Sequence, residues 1–471
     1  MDKFFGLKEN NTTVKTEIIA GITTFITMAY IIFVNPDILS TPLFIMKDKN
    51  AAIMKDSIFV ATCIAAAIGT LIMGLYAKLP FAQAPGMGLN AFFAFTIVLG
   101  MGYTFNQGLA AVFISGILFI IITLIGLREA IVKAIPQNIK YAITAGIGLF
   151  ISLIGLVNAK IVINNDVTLV QLVDFSKFAS TEVYDQVSGM TYGMATKNAI
   201  VAIIGLVIIG ILMAIRVKGA ILLGILATTI VGIPFGVTNL AGFNKIVDLP
   251  PSVMPTFFKM DFLGLLGLDG KGFVSAIFAT LTVVISFSLV DMFDTIGTLI
   301  GTGQKAGLID EHGRLPRMEK ALMADAVASS VGACLGTSTV TTYVESGAGV
   351  AEGGKTGLTA VTTGVLFLAA LFFAPLVGIV PSAATAPALI IVGVLMMSSV
   401  KHINFNDFEE ALPAFLTMAM MPFTYSIATG IAAGLIIYPI AKIATGKAKE
   451  VHPIVYVLAV LFILRFSILP H

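Results

Sequence analysis

Leu79-Pro80-Phe81-Ala82-Gln83-Ala84-Pro85-Gly86-Met87-Gly88-Leu89-Asn90 and Gly336-Thr337-Ser338-Thr339-Val340-Thr341-Thr342-Tyr343-Val344-Glu345-Ser346-Gly347-Ala348-Gly349 are the stretches that decide the architecture. Both lie in apolar sequence, and neither reads as an ordinary membrane-crossing helix. The first sets Pro80, Pro85, Gly86 and Gly88 ahead of a short apolar helix. The second is a β-branched Thr/Val run, which favours extended chain, and Glu345 follows at once. Each is the third apolar segment of its half, counting the second half from residue 273. Interrupted segments at corresponding places in two halves mark an inverted-repeat transporter. Each would be a short strand followed by a half-helix. Backbone outside a helix is tolerated at membrane depth only where protein buries it or it lines a cavity. Half-helix N-termini then offer free N–H groups and a positive dipole end to a ligand. The alternative is a pair of re-entrant loops that serve packing alone.

The rest of the chain agrees with a membrane setting. Of 471 residues, 57% are hydrophobic, and only 28 are basic and 26 acidic. That is about half the charge of a soluble protein of this size. It excludes a cytosolic enzyme, a disordered chain and a nucleic-acid binder, and the net charge of +2 argues against a polyanionic partner. Apolar segments read at 18–36, 57–77, 81–100, 107–126, 140–157, 198–215, 219–237, 273–302, 321–336, 337–351, 357–378, 384–400, 409–425 and 427–445. The stretch 452–468 carries Arg465 and reads as an extra span or an interfacial helix. The expected fold class is an all-α polytopic membrane protein of about 14 transmembrane segments, with inverted repeats of about seven each.

Basic residues alternate along the loops. Lys78, then Arg128, Lys133 and Lys140, then Arg216 and Lys218 would lie inside if the N-terminus is cytoplasmic. Lys305, Arg314, Arg317 and Lys320, then Lys401, then Lys442, Lys447 and Lys449 continue the series. The long loops near 158–197 and 238–272 are mixed or acidic, which completes a positive-inside pattern. The run Ile18 to Val34 leads into Asn35-Pro36 with no small-residue cleavage site, so it reads as a span and not a signal peptide. Cys63 and Cys334 lie in apolar segments as packing residues, without a disulfide framework.

Ionisable groups inside a membrane are costly and are functional candidates. Asp291 and Asp294 sit amid apolar residues, and their spacing places them on one helical face with Thr295 and Thr298. Glu345 is the third such carboxylate. No Lys or Arg lies inside either segment to pair with them. A buried carboxylate with no cation beside it is suited to take up and release a proton, so Asp291, Asp294 and Glu345 are the proton-coupling candidates. For Asp291 the competing role is to bond a neighbouring helix and fix packing. Asn90 follows the Gly-rich break and can both donate and accept; its competing role is to cap the half-helix.

Other motif matches carry nothing. Gly349-Val-Ala-Glu-Gly-Gly354-Lys355-Thr356 has the letters of a P-loop, but its flanks are membrane segments, not a parallel sheet. Gly86-Met-Gly88-Leu-Asn-Ala91 matches a dinucleotide fingerprint with no βαβ unit around it. His312, His402, His452 and His471 show no metal-ligand spacing, so neither a metal nor a cofactor is expected. The Asn11-Thr-Thr sequon falls on the side expected to be cytoplasmic.

Thr23-Thr-Phe-Ile-Thr-Met-Ala-Tyr30, Ala84-Pro-Gly-Met-Gly-Leu-Asn90-Ala-Phe-Phe93, Val290-Asp-Met-Phe-Asp294-Thr-Ile-Gly-Thr298 and Thr341-Thr-Tyr-Val-Glu345-Ser-Gly-Ala-Gly349 together resemble the AzgA-like purine permeases, the hypoxanthine/guanine branch of the nucleobase:cation symporter-2 family. The resemblance covers essentially the whole chain. It implies the uracil-transporter fold, with a core domain in residues 1–130 and 261–380 and a gate domain in residues 131–260 and 381–471. It implies that Asp294 and Glu345 hold the base, joined by Asn90. Asp294 with Thr298, where the uracil transporters have Glu and His, points to purines over pyrimidines. The resemblance also allows a homodimer through the gate domains.

The expected function is therefore a proton-coupled importer of purine nucleobases in the cell membrane. The partners are a purine nucleobase, a proton and the lipid bilayer. Guanine offers adjacent N1–H and amino donors that a carboxylate accepts as a pair. A flat neutral base suits an apolar pocket with few polar groups. Backbone N–H groups of Tyr343 or Val344 would donate to its carbonyl, and Phe92 and Phe93 are candidates for stacking. The sequence does not rank guanine, hypoxanthine, adenine and xanthine. An anion channel or exchanger of the same architecture is the main rival, and three buried acids with no buried base count against it. An intramembrane enzyme would need a nucleophile–base pair or metal cluster, and none is visible.

Overall fold

The computed structural model describes residues 2–126, 134–165, 167–185, 189–241, 243–267, 273–309 and 315–468. Arg128, Lys133, His312, Arg314 and His471 lie outside the described residues, as do the side chains of Lys305 and Arg465. Among the described residues, nine helices are long and apolar enough to cross a membrane, and the protein is a multi-pass membrane protein. Met87–Gly100, Ala220–Gly232 and Pro453–Leu464 form shorter apolar helices.

The chain begins its first crossing at Thr13, whose side chain accepts from Thr16 N and caps helix α1 (Val14–Met28). A joint at Ala29-Tyr30 leads into α2 (Ile31–Ile45), so the crossing is longer than the 18–36 read from sequence. Helix α3 (Ala51–Ile72) continues through Ala77. Strand β1 (Gln83–Pro85) then opens into α4 (Met87–Ala91), which widens to a π-helical run over Phe92–Gly100. Helices α5 (Phe105–Leu124), α6 (Gln137–Asn158), α7 (Tyr192–Ala214) and α8 (Ala220–Gly232) complete the first half.

The second half repeats the order. Helices α9 (Phe273–Lys305) and α10 (Met318–Leu335) precede strand β2 (Val340–Thr342) and half-helix α11 (Ser346–Ala351). Helices α12 (Gly357–Ala370), α13 (Ser382–Met397), α14 (Phe408–Phe423) and α15 (Ile427–Ala444) follow. The stretch left open at 452–468 is a helix, α16 (Pro453–Ile468), packed along α15 and α9. The loop after α6 holds two small hairpins, Val162–Asn165 with Leu169–Leu172 and Val183–Asp185 with Met190–Thr191, which the sequence reading missed. Strands this short leave too little alternation to read.

Helix packing falls mainly into two groups. In one, α1 lies on α11 and α12, α3 on α10 and α12, and α5 on α9 and α10. In the other, α6 lies on α13 and α14, α7 on α8 and α13, and α14 on α15. Where α12 meets the end of α3, a Cβ on Gly357 would collide with the Gly74 carbonyl, so only glycine permits that crossing. Asp37 bridges the groups. It pairs with Lys55 at 2.9 Å and accepts from Ser382 Oγ at 3.1 Å and Thr385 Oγ1 at 2.8 Å.

The two interrupted segments meet. β1 and β2 pair antiparallel, with Gln83 opposite Thr342, Ala84 opposite Thr341 and Pro85 opposite Val340. Gly86 N donates to Thr339 O and Tyr343 N to Ala82 O, which extends the pairing at both ends. A two-stranded ladder leaves its outer edges unbonded, and no water reaches them at this depth. Side chains from equivalent helices serve them instead. Thr70 Oγ1 of α3 accepts from Gln83 N and donates to Gln83 O, and Ser329 Oγ of α10 donates to Val340 O. Each repeat's second segment thus secures its own interrupted third.

The P-loop look-alike has a structural use. Glu17, fully buried on α1, accepts from Lys355 N, Thr356 N, Thr359 N and Thr359 Oγ1 at 2.6–3.2 Å. The protein's own carboxylate occupies the place at the α12 N-terminus that an anion would take.

Candidate functional site

The site is built where the strand pair gives way to its half-helices. Pro85 O, just before α4, accepts two bonds. Tyr343 Oη donates at 2.6 Å and Asn90 Nδ2 at 3.3 Å, so groups from both halves converge on one carbonyl. Asn90 is fully buried, and its Oδ1 has no hydrogen-bond partner among the described residues. It is not a cap, because Gly86 holds that position of α4.

Glu345 sits on the turn between β2 and α11, and Tyr30 Oη donates to its Oε1 at 2.6 Å. Asp294 projects from α9, which packs against β2 and α11, the elements on either side of Glu345. Among the described residues, no lysine, arginine or histidine forms an ion pair with Asp294 or Glu345. Two acids from opposite elements therefore share one region, suited to accept N–H groups of a neutral ligand and to exchange protons. The Tyr343 N–H is already held by Ala82 O, which removes it as a ligand donor. The Val344 side chain is exposed at 51%.

Asp291 faces elsewhere. It is fully buried, and its Oδ1 lies 3.4 Å from Thr295 Oγ1. The Thr295 hydroxyl also reaches Asp325 Oδ2 at 2.9 Å and Thr341 Oγ1 at 2.8 Å. Gln83 Nε2 bridges Asp325 Oδ1 and Thr342 Oγ1. Asp291 thus belongs to a network with Thr295, Asp325 and Thr341.

The sequence reading missed Asp325 and Tyr30. Asp325 is one acid in an Ala/Ser-rich helix, and the rule that singled out Asp294 applies to it equally. Tyr30 has no local signal in an apolar span. One expectation needs correction: a buried base exists. Lys442 lies within α15, not in a loop, and is 4% exposed. It pairs with Glu409 at 2.6 Å, Glu410 at 2.9 Å and Glu450 at 3.5 Å, and Lys447 also reaches Glu409. Packing of α14 on α15 supplies Glu409 and Glu410, and Glu450 comes from the short turn after α15. Phe92 and Phe93 are both fully buried, stacked edge to face on Phe287 and Phe105 respectively.

Interrupted segments paired where two inverted repeats meet, each leading into a half-helix, define a transporter fold. A sequence profile described as a permease family matches residues 15–433, and the chain belongs to that family. It is a permease, not an enzyme. The chain is 46% identical to the guanine/hypoxanthine permease PbuG of Bacillus subtilis, over 100% of both chains. It is 43% identical to the adenine permease AdeP of Escherichia coli, over 99% of this chain and 95% of that one. Among solved structures, the transmembrane domain of the cyanobacterial bicarbonate transporter BicA shares the fold. Its TM-score is 0.61 at 13% identity, covering 89% of this chain and 97% of that domain.

Proposed function

We propose that this permease imports purine nucleobases together with protons, by rocking a core domain against a gate domain. Hypoxanthine and guanine are the first substrates to test, and adenine the next. The observation that carries the reading is Glu345 on the β2–α11 turn, against which α9 with Asp294 packs, together with Asn90 and Tyr343 meeting on the Pro85 carbonyl. Carboxylates match the N–H-rich edge of a purine and repel an anion. The relatives named for guanine, hypoxanthine and adenine support the same substrate class. The core corresponds to residues 1–130 and 261–380, the gate to 131–260 and 381–471, and the N-terminus lies in the cytoplasm of a cell whose outer membrane face takes up the base. Uptake of labelled hypoxanthine, guanine and adenine into cells lacking their own purine permeases tests it. Accumulation that collapses with a protonophore is expected. Accumulation of none of the three bases would remove the purine reading, and uptake indifferent to the protonophore would remove the coupling.

Asp294→Asn is expected to impair binding or the pH dependence of uptake more than Asp291→Asn. Asp291 belongs to the Thr295 network, and no bond from Asp294 to that network is seen among the described residues. A dead Asp291→Asn at normal expression, beside a working Asp294→Asn, would reverse the assignment.

Asn90→Ala is expected to weaken or re-rank base binding with little change in expression. The substitution removes a buried acceptor that no protein group uses and one of the two donors on Pro85 O. Competition of unlabelled purines against a bound label reads the ranking. An unchanged ranking with unchanged affinities would take Asn90 out of the site.

A further inference from the structure

We infer that Tyr30 is a positioning residue for substrate recognition, its hydroxyl holding the Glu345 carboxyl in the orientation that meets the base. The inference rests on the reading of Glu345 as a substrate-holding group. Glu345 lies on a turn ahead of a one-and-a-half-turn helix, where its own element does little to restrict the side chain. Tyr30 reaches it from a separate crossing, and the 2.6 Å contact has the length of a charge-assisted O–H···O bond. The first crossing is shaped to make that contact. At the α1–α2 joint, Ile32 N bonds Ala29 O and Phe33 N bonds Tyr30 O, the tighter spacing of a 3-10 turn. One turn earlier, Thr27 Oγ1 lies 3.5 Å from Glu345 O, so the same face touches both the backbone and the side chain of Glu345.

The choice of a phenol has a chemical reason. A tyrosine hydroxyl donates to a carboxylate and accepts from a carboxylic acid. It therefore holds Glu345 in either protonation state, accepting the acid's own O–H as well as donating, whereas a lysine can only donate. A lysine would also neutralise the charge that the base's N–H groups require. The carboxyl keeps lone pairs beyond the one that Tyr30 occupies, so the bond orients the group without filling it. Tyr30 is 1% exposed and its ring also packs in the core. Tyr30→Phe keeps the packing and removes only the hydroxyl.

The test uses purified full-length protein and whichever of hypoxanthine, guanine or adenine the wild type binds. Tyr30→Phe is expected to bind about tenfold more weakly or worse, the loss typical of a hydrogen bond to a charged group. Its ligand-free unfolding midpoint should match the wild type. In a Glu345→Gln background the same substitution should cost little more, because the carboxylate that Tyr30 orients toward the base is gone even though the amide can still accept from Tyr30. Affinity within about twofold of wild type, or a loss that persists in full beside Glu345→Gln, would overturn the inference. If Glu345→Gln binds too weakly to measure, the midpoint decides: an equal midpoint upholds positioning, and a fall of several degrees means the hydroxyl serves stability. A wild type that binds none of the bases brings down the purine reading and this inference with it. A wild type that binds while Tyr30→Phe is unaffected brings down this inference alone.

Discussion

Glu345→Gln is expected to abolish uptake while the protein remains in the membrane at normal levels. The side chain lies where β2 ends and α11 begins, bonded by Tyr30. Glutamine preserves size and can still accept from Tyr30, so the fold loses little. What changes is the face offered to the ligand. A carboxylate only accepts, whereas the amide brings two N–H donors that meet the base's own N–H groups. One acceptor is lost and one repulsive contact is gained. Losing a pair of charge-assisted bonds corresponds to roughly a 100-fold or larger fall in affinity. Equilibrium binding and whole-cell uptake measured side by side check this. Near-normal uptake by a well-expressed Glu345→Gln would remove Glu345 from the site.

Glu17→Ala should show the largest effect on stability. The Glu17 carboxyl is fully buried and accepts from three backbone N–H groups and one hydroxyl at the α12 N-terminus. Alanine leaves those donors without partners, at about 1–3 kcal/mol each. The sum is about 3–5 kcal/mol once the loop relaxes, a large share of the stability of an ordinary domain. Glu17→Gln keeps one acceptor oxygen and should fall between the two. Thermal unfolding followed by loss of the monodisperse peak in size-exclusion chromatography reads the order. A Glu17→Ala midpoint equal to wild type would show that this buried anion does not hold α1 to α12.

Several features were legible because they are local. Pro85 directly before Gly86 disfavours helix locally, although single prolines such as Pro387 and Pro439 sit within helices, and the β-branched run before Tyr343 favours extension. The strands at Gln83–Pro85 and Val340–Thr342 follow from those preferences. Asp294 and Glu345 stood out because a carboxylate is costly in an apolar segment whatever its neighbours are. Asp325 carries the same signal, a carboxylate in an Ala/Ser-rich apolar segment. The P-loop letters around Lys355 were rightly set aside, since the flanking segments cannot form the sheet that such a loop requires.

Composition, the alternation of basic loops and the two broken segments thus determine, without coordinates, a many-spanning protein with a repeated interruption. They do so because helix breaking, strand preference and the cost of charge in lipid act within a few residues. Partnership was decided only by the tertiary structure. Tyr30 meets Glu345, Glu17 meets Thr359, Thr295 meets Asp325 and Lys442 meets Glu409 across separations that no local preference encodes. The apolar face around each of these groups looks the same in sequence whether it meets lipid or another helix. Which polar group finds which partner is set by how the helices pack against one another, and that packing also places one carboxyl beside a lysine and another beside a phenol.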